Sequence, residues 1–430
     1  MNHEDPRLIK DVLTFAWQHS LSCVNNLSTG SGERVSVVRP GIRGKSGQPE
    51  FTDAEIVIGG RSIVGSIAVH VHSSDWNIDR RNQNSNYDSV ILNIVADDDR
   101  IIRKLDDSVL SCAVMVFPEK LLRTLKAIMA GSENCACGKF VKRYMEDVEI
   151  KNGCTRLAIE RMERKYNDIM KIHSHTDMCW PETFHIMMFR TMGLGSNKEV
   201  YMSLARNIPY SVLCRERGDV KKLESMILGV AGLLDNRVYD DYKTQLCRVF
   251  EEMRAKYDLK VLEYCEWTDK GVRPYNFAPK RLAQLSKLID SGNFTLETIL
   301  ECKNVREVKK LFDMELSDYW KRSFDFGKRS PSTRQAVGDM TIDIMIINLV
   351  SPMMFAYGRE TGNEELQERA IDLLYEVKGE NNRYTRGWKN HGVPVESGFY
   401  SQAFIQLSTE YCINRLCTEC FIGIKALKTI

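Results

Sequence analysis

The spacing of apolar and polar positions changes partway along the chain, and that change divides it. Residues 11–19 place Val12, Leu13, Phe15, Ala16 and Trp17 at helical spacing, which predicts a short amphipathic helix. Four runs rich in β-branched residues follow, at 35–38, 54–58, 62–71 and 90–95. Glycine or Asn/Asp/Ser turns part them, so they read as strands. Residues 109–117 form a fifth, largely apolar run, and Pro118 then suits the first turn of a helix reaching Met129. Beyond residue 153 the period lengthens from two to about 3.6, the repeat of a helix face. Helices are expected at 157–172, 183–191, 220–234, 239–257, 279–288, 340–357 and 365–377. The pattern predicts an α+β fold: a small mixed-sheet domain over residues 1–130, a boundary over 131–153 and a larger all-helical domain over 154–430.

Composition narrows the class without naming a chemistry. A chain of 430 residues is long enough for two or three cores, and 43% hydrophobic with 27% charged residues is ordinary for a globular protein. The net charge of +2 provides no global field toward nucleic acid or anionic lipid, so any such binding must come from a local patch. The 13 cysteines are an odd number scattered along a large chain, and the opening Asn2-His3-Glu4-Asp5-Pro6 is polar. A secretory disulfide framework is therefore not expected, and a reducing cytoplasm is. The most apolar long stretch, 340–357, contains Asp343, Asn348 and Pro352 and reads as a buried helix, so no membrane span is expected.

Several groups of residues could carry chemistry. On the strand at 62–71, alternation puts residues 68, 70 and 72 on one face. His70 and His72 with Asp75 could hold zinc or iron, and a hydrogen-bonded core histidine is the plainer alternative. Two stretches interleave bases with aromatics: Lys321, Arg322, Lys328 and Arg329 among Tyr319, Trp320, Phe324 and Phe326, with Arg334 close behind, and Arg386 between Tyr384 and Trp388. Such mixtures suit phosphate contacts plus base stacking, and a solvated face with its aromatics turned inward is the alternative. The mixed-sign run 160–165 reads as an exposed helix face. Gly193-Leu194-Gly195 is too short for a dinucleotide loop, and there is no Walker-type phosphate loop.

Gln48-Pro49-Glu50-Phe51, His70 through Trp76, and Tyr87-Asp88-Ser89-Val90-Ile91-Leu92 resemble a bacterial family of unknown function, DUF2851. The resemblance extends to Ala231-Gly232-Leu233-Leu234, Arg273-Pro274-Tyr275-Asn276-Phe277 and Tyr411-Cys412 with Cys417 and Cys420. It implies no activity, but the N-terminal part is similar to a PD-(D/E)XK nuclease core. There, carboxylates on adjoining strands hold a divalent cation, typically magnesium, that positions water and neutralises charge on the phosphate. Against that pattern the chain departs in four places. Gln48-Pro49-Glu50-Phe51 stands for Gly-Pro-Asp-Phe, and Ala68-Val69-His70 for Glu-Ile-His. A histidine-rich segment has become Asn77 to Asn82, and Asn93 replaces a histidine.

Ala68 supplies no ligand, and Glu50, even joined by Asp53, Asp75 or Asp88, would bind magnesium weakly. The expectation is a degenerate nuclease that binds nucleic acid or a protein partner without cleavage. The alternative is an altered metal-dependent phosphodiesterase using Glu50, His70, His72 and Asp75. Some nucleases with this core also hold an iron–sulfur cluster through one upstream and several C-terminal cysteines. Here Cys412, Cys417 and Cys420, spaced C-x4-C-x2-C, could join Cys135 or Cys137 around zinc or a cluster. Small buried thiols on one helix face are the alternative.

Overall fold

The computed structural model describes every residue except 1–4, 46, 132–136, 194, 235–239, 263–266, 269–275, 330–336, 394 and 430. Cys135, Arg334 and Arg273-Pro274-Tyr275 therefore lie outside the described residues. The chain forms two compact units. The first comprises Met1–Gly153, Asn390–Val393 and Leu407–Ile430, and the second Cys154–Lys389 and Pro394–Gln406. The C-terminal segment thus belongs to the unit built by the N-terminal residues, where the sequence pattern had grouped it with the helices.

The first unit is a twisted mixed sheet with helix α1 (Pro6–Gln18) on it. The helix starts at Pro6 and not at residue 11, because Asp5 caps it: its side chain accepts the Arg7 N–H at 3.0 Å, and proline fits the first turn. The strands are β1 (Leu27–Ser28), β2 (Arg34–Arg39), β3 (Ile42–Arg43), β4 (Phe51–Ile58) and β5 (Arg61–Val69). After the short helix α2 (Asp75–Ile78) come β6 (Val90–Val95), β7 (Ile102–Arg103), β8 (Val109–Leu110) and β9 (Cys112–Val114). The sheet order is β1-β2-β4-β5-β6-β9, with β3 paired to β4. β2, β4 and β5 form an antiparallel meander, and β6 then lies parallel to β5, with β9 parallel to β6. The single strand expected at 109–117 is divided. β8 pairs with β7 in a separate ribbon, while β9 joins the main sheet.

Each face of the sheet has its own apolar layer. Ile9, Leu13, Ala16 and Trp17 of α1 share one cluster with Phe51, Ile67, Val69, Leu92 and Ile94. Ala68, Trp76, Tyr87, Val90, Val95 and Ile102 form the other. Helices α3 (Glu119–Met129) and α4 (Gly138–Tyr144) follow, and the C-terminal helix Phe421–Lys428 packs against both. Those contacts draw the chain's end into this unit.

The second unit is helical, with Trp180–Met192, Val220–Val230, Asp241–Tyr257, Ala278–Ser291 and Glu364–Glu376 among its helices. The apolar stretch runs as helix Asp339–Met345, a π-helical turn Ile346–Val350 and helix Ser351–Glu360. It is the one helix among the described residues long and apolar enough to cross a membrane, but 72% of its most apolar window is buried inside the structure. Most of that apolar window is covered by protein.

Glu224 is buried in this unit and accepts hydrogen bonds from the Tyr242 hydroxyl at 2.7 Å and the Trp320 indole at 2.9 Å. Burial pushes its carboxyl up to about 7, against the pull of those two donors. A folded-state pKa above the unfolded value of 4.5 means that the protonated form is the stabilised one. This contribution is complete below about 4.5 and is lost as pH rises through about 7. Glu224→Gln keeps an oxygen for both donors and removes the titration. Denaturant unfolding of the two proteins should show wild type losing roughly 3 kcal/mol relative to the variant over that window. Parallel pH profiles would contradict the assignment.

Candidate functional site

Three strands bring polar side chains to one corner of the first unit. Phe51 is registered against Ile67, so Glu50, at the entry to β4, comes beside the exit of β5. Ala68 is registered against Asn93 of β6. Between Phe51 and Ala54 the pairing shifts, and Asp53 sits at φ 55, a bulge that bends the start of β4 next to this corner. Asp53 is exposed at this bulge.

Glu50 is held from two sides. One carboxylate oxygen lies 2.7 Å from the Lys10 ammonium of α1, and the other accepts the Val69 N–H at 3.1 Å. Burial opposes its charge, but Lys10 and the Val69 N–H outweigh it and hold the carboxyl below its usual range. His70 stands next to it, buried, and its Nδ1–H donates to the Asn93 side-chain oxygen at 2.7 Å. Burial pushes the imidazole below its usual value, with the Asn93 bond and Glu50 pulling the other way. At neutral pH His70 is thus the uncharged Nδ1–H tautomer, and its Nε2 carries a lone pair. That atom is buried with no hydrogen-bond partner, 3.8 Å from the nearer Asp79 oxygen. Arg81 lies 3.7 Å from the same carboxylate and over the ring of Tyr87.

Ala68 is fully buried in the apolar layer of Trp76 and Tyr87. Its methyl group provides no ligand, and the Trp76 ring approaches His70 edge-on at 6.0 Å. The corner therefore contains one carboxylate already neutralised by the chain's own cation, one neutral imidazole and one solvent-facing ion pair. It has a proton acceptor in His70 Nε2 and, among the described residues, no group of three side chains placed to hold a metal ion.

The structure separates the other predicted residues from this corner. Alternation implies that His72 shares a face with His70, but β5 ends at Val69 and the chain turns. Asp75 takes the His72 N–H at 2.9 Å, and Ser73 Oγ accepts the Arg100 N–H at 2.8 Å. The His72 ring ends exposed, 3.3 Å from Asp97. His70, His72 and Asp75 do not converge, and of the four catalytic candidates only Glu50 and His70 are brought together. Among the described residues no three His, Cys, Asp or Glu side chains stand at metal-holding positions.

The basic stretches lie in the helical unit. Lys321 is paired with Glu315 and Asp318, and Lys328 with Asp325 at 2.8 Å. Trp320, Phe326 and Trp388 are buried, so those rings are closed to base stacking. Arg322, Arg329 and Arg386 are exposed. The run 160–165 is less exposed than its alternating charges suggest. Arg161 donates to Gln402 at 2.7 Å, and the half-buried Lys165 donates to Asn348 Oδ1 at 3.0 Å and to the Ile347 carbonyl at 2.9 Å. Glu380 completes that network by accepting from Asn348 and Gln402. Nothing in the sequence marks it, because the Ile347 carbonyl is turned out by the π-helical turn.

Lys10→Met removes the cation beside Glu50 and leaves a mostly buried carboxylate with one backbone donor. Unfolding free energy should fall by on the order of 2 kcal/mol at neutral pH. An unchanged value would mean that solvent already screens the pair.

No curated protein and no solved structure matches the chain. A family model, that of proteins of unknown function (DUF2851), matches residues 10–383, a span containing Lys10, Glu50, Ala68, His70 and Asn93 but ending before Cys412, Cys417 and Cys420. With most of its length matched, the chain belongs to the DUF2851 family of proteins of unknown function.

Proposed function

We propose that the first unit is a nuclease-like domain whose cation site is filled by its own Lys10 ammonium, and that the protein binds nucleic acid without cutting it. The observation that carries this reading is the 2.7 Å contact between Lys10 and Glu50. In a PD-(D/E)XK site that carboxylate would face a divalent cation. Supporting it, the helix, antiparallel meander, helix and parallel strand of α1, β2-β4-β5, α2 and β6 follow the order expected of that core. By the sequence resemblance, Glu50, Ala68 and His70 stand for its motif residues. Metal-assisted phosphodiester cleavage needs charge neutralisation at the phosphate and an activated water. A fixed ammonium already spent on Glu50 supplies neither. Phosphate contacts then fall to exposed arginines, with Arg322, Arg329 and Arg386 the candidates on sequence pattern and exposure.

One atom favours a second reading. The unpartnered lone pair of His70 Nε2 is suited to accept a proton from water, as an altered phosphodiesterase would require. A cleavage assay on single- and double-stranded DNA and RNA with magnesium or manganese separates the two. The proposal expects no cleavage above that of Glu50→Ala. Cleavage that both Glu50→Ala and His70→Ala abolish would establish the second reading instead. In the same samples, affinity should fall with rising salt. Arg322→Ala with Arg329→Ala should weaken it by about tenfold and flatten the salt slope. Salt-insensitive or absent binding would refute the nucleic-acid assignment.

A further inference from the structure

Cysteines from two distant parts of the chain meet in the first unit. Cys137 is the residue before α4 and is buried. Cys420 caps the C-terminal helix Phe421–Lys428, which packs on α4. Its sulfur accepts the Gly423 N–H at 3.2 Å, and its thiol lies 3.7 Å from the Cys417 carbonyl oxygen. A Cβ at Gly423 would collide with that carbonyl, so the turn from Cys417 to Gly423 closes tightly only with glycine there. Cys412 ends the π-helical turn Leu407–Cys412, a local distortion of the kind often found at functional positions. Cys417 and Cys420 therefore lie on a turn and not on one helix face, as the plainer sequence reading had them.

The four thiols interact with one another. Cys137 hydrogen-bonds to Cys420, and the Cys412 and Cys417 sulfurs are close enough to act on it. Cys417 is buried, with the Cys420 sulfur close to it. Cys154 provides the contrast, since it is fully buried and no other sulfur acts on it. Cys154 is what a cysteine used as a small apolar filler looks like. Crowding four acidic thiols in one place brings no packing advantage, whereas a thiophilic cation would replace their protons and relieve the crowding. None of the four is in a disulfide.

We infer that Cys137, Cys412, Cys417 and Cys420 form a four-thiolate site for a soft metal centre, either a zinc ion or an iron–sulfur cluster. The side chains must turn inward from their present rotamers to ligate it, since no three of them already stand at metal-holding positions. Two properties favour the site. The Gly423 N–H aimed at the Cys420 sulfur, at the positive end of a helix, stabilises a thiolate. Joining Cys137 to the C-terminal segment also closes a very long loop, the case in which a covalent clip restricts the unfolded chain most.

The test uses the full chain, expressed with zinc or iron supplements and purified without oxygen. Zinc, iron and acid-labile sulfide are measured per chain, together with the visible spectrum. The inference expects about one zinc, or about four irons with matching sulfide and a brown colour. Cys137→Ala should lower that content at least fivefold, and Cys154→Ala should not. If Cys137→Ala fails to fold, counting reactive thiols in the native wild type before and after a strong chelator gives a second readout. Release of metal with several newly reactive thiols supports the site. Metal content in both media no higher than that of Cys137→Ala, or thiol reactivity unchanged by chelation, would overturn it.

Discussion

The ion pair between Lys10 and Glu50 decides what the polar corner of the sheet is able to do. It joins the first helix to the entry of β4, where Glu50 stands beside His70, and it satisfies that residue's charge from within the chain. A carboxylate with an ammonium at 2.7 Å and a backbone N–H at 3.1 Å has little left to offer a hard cation that needs six or more oxygens. The rest of the corner is consistent with that state. Ala68 contributes only a methyl group, within an apolar layer, and the Asn93 side-chain oxygen accepts from His70 Nδ1.

The changes at these positions form one physical set. Loss of a carboxylate at residue 68 alone would leave Glu50 as an underused anion in a mostly buried place, a costly arrangement. Lys10 offsets that cost. Burial lowers the basicity of His70 against the pull of the Asn93 bond, Glu50 and Asp79. On the proposed reading, these positions and one lysine together describe a single substitution of a fixed cation for an exchangeable one.

Much of the sheet was legible because alternation of apolar residues is local. The run 90–95 coincides with Val90–Val95, and 54–58 and 62–71 overlap Phe51–Ile58 and Arg61–Val69. The convergence of Glu50 with His70 follows from register across neighbouring strands, which the hydrophobic pattern also constrains. Lys10 was not legible, since a lysine on an amphipathic helix reads as solvent-facing until the helix is placed on its sheet. His72 was misplaced because period-two reasoning assumes that the strand continues, whereas Asp75 and Ser73 bind backbone groups and turn the chain. The return of Leu407–Ile430 to the first unit depends on long-range packing that no local pattern encodes. The cysteine spacing hinted at a cluster, but only that return brings Cys137 to it.

The claim that Lys10 stands in for a divalent cation is tested most directly by calorimetric titration of manganese into Lys10→Met/Ala68→Glu beside the wild type. Both proteins also carry Glu50→Gln controls and are shown to be folded by circular dichroism. The account predicts that the double variant gains manganese binding that Glu50→Gln abolishes, while the wild type shows none that depends on Glu50. Glu50-dependent binding in the wild type, or a folded double variant that binds no manganese, would contradict it.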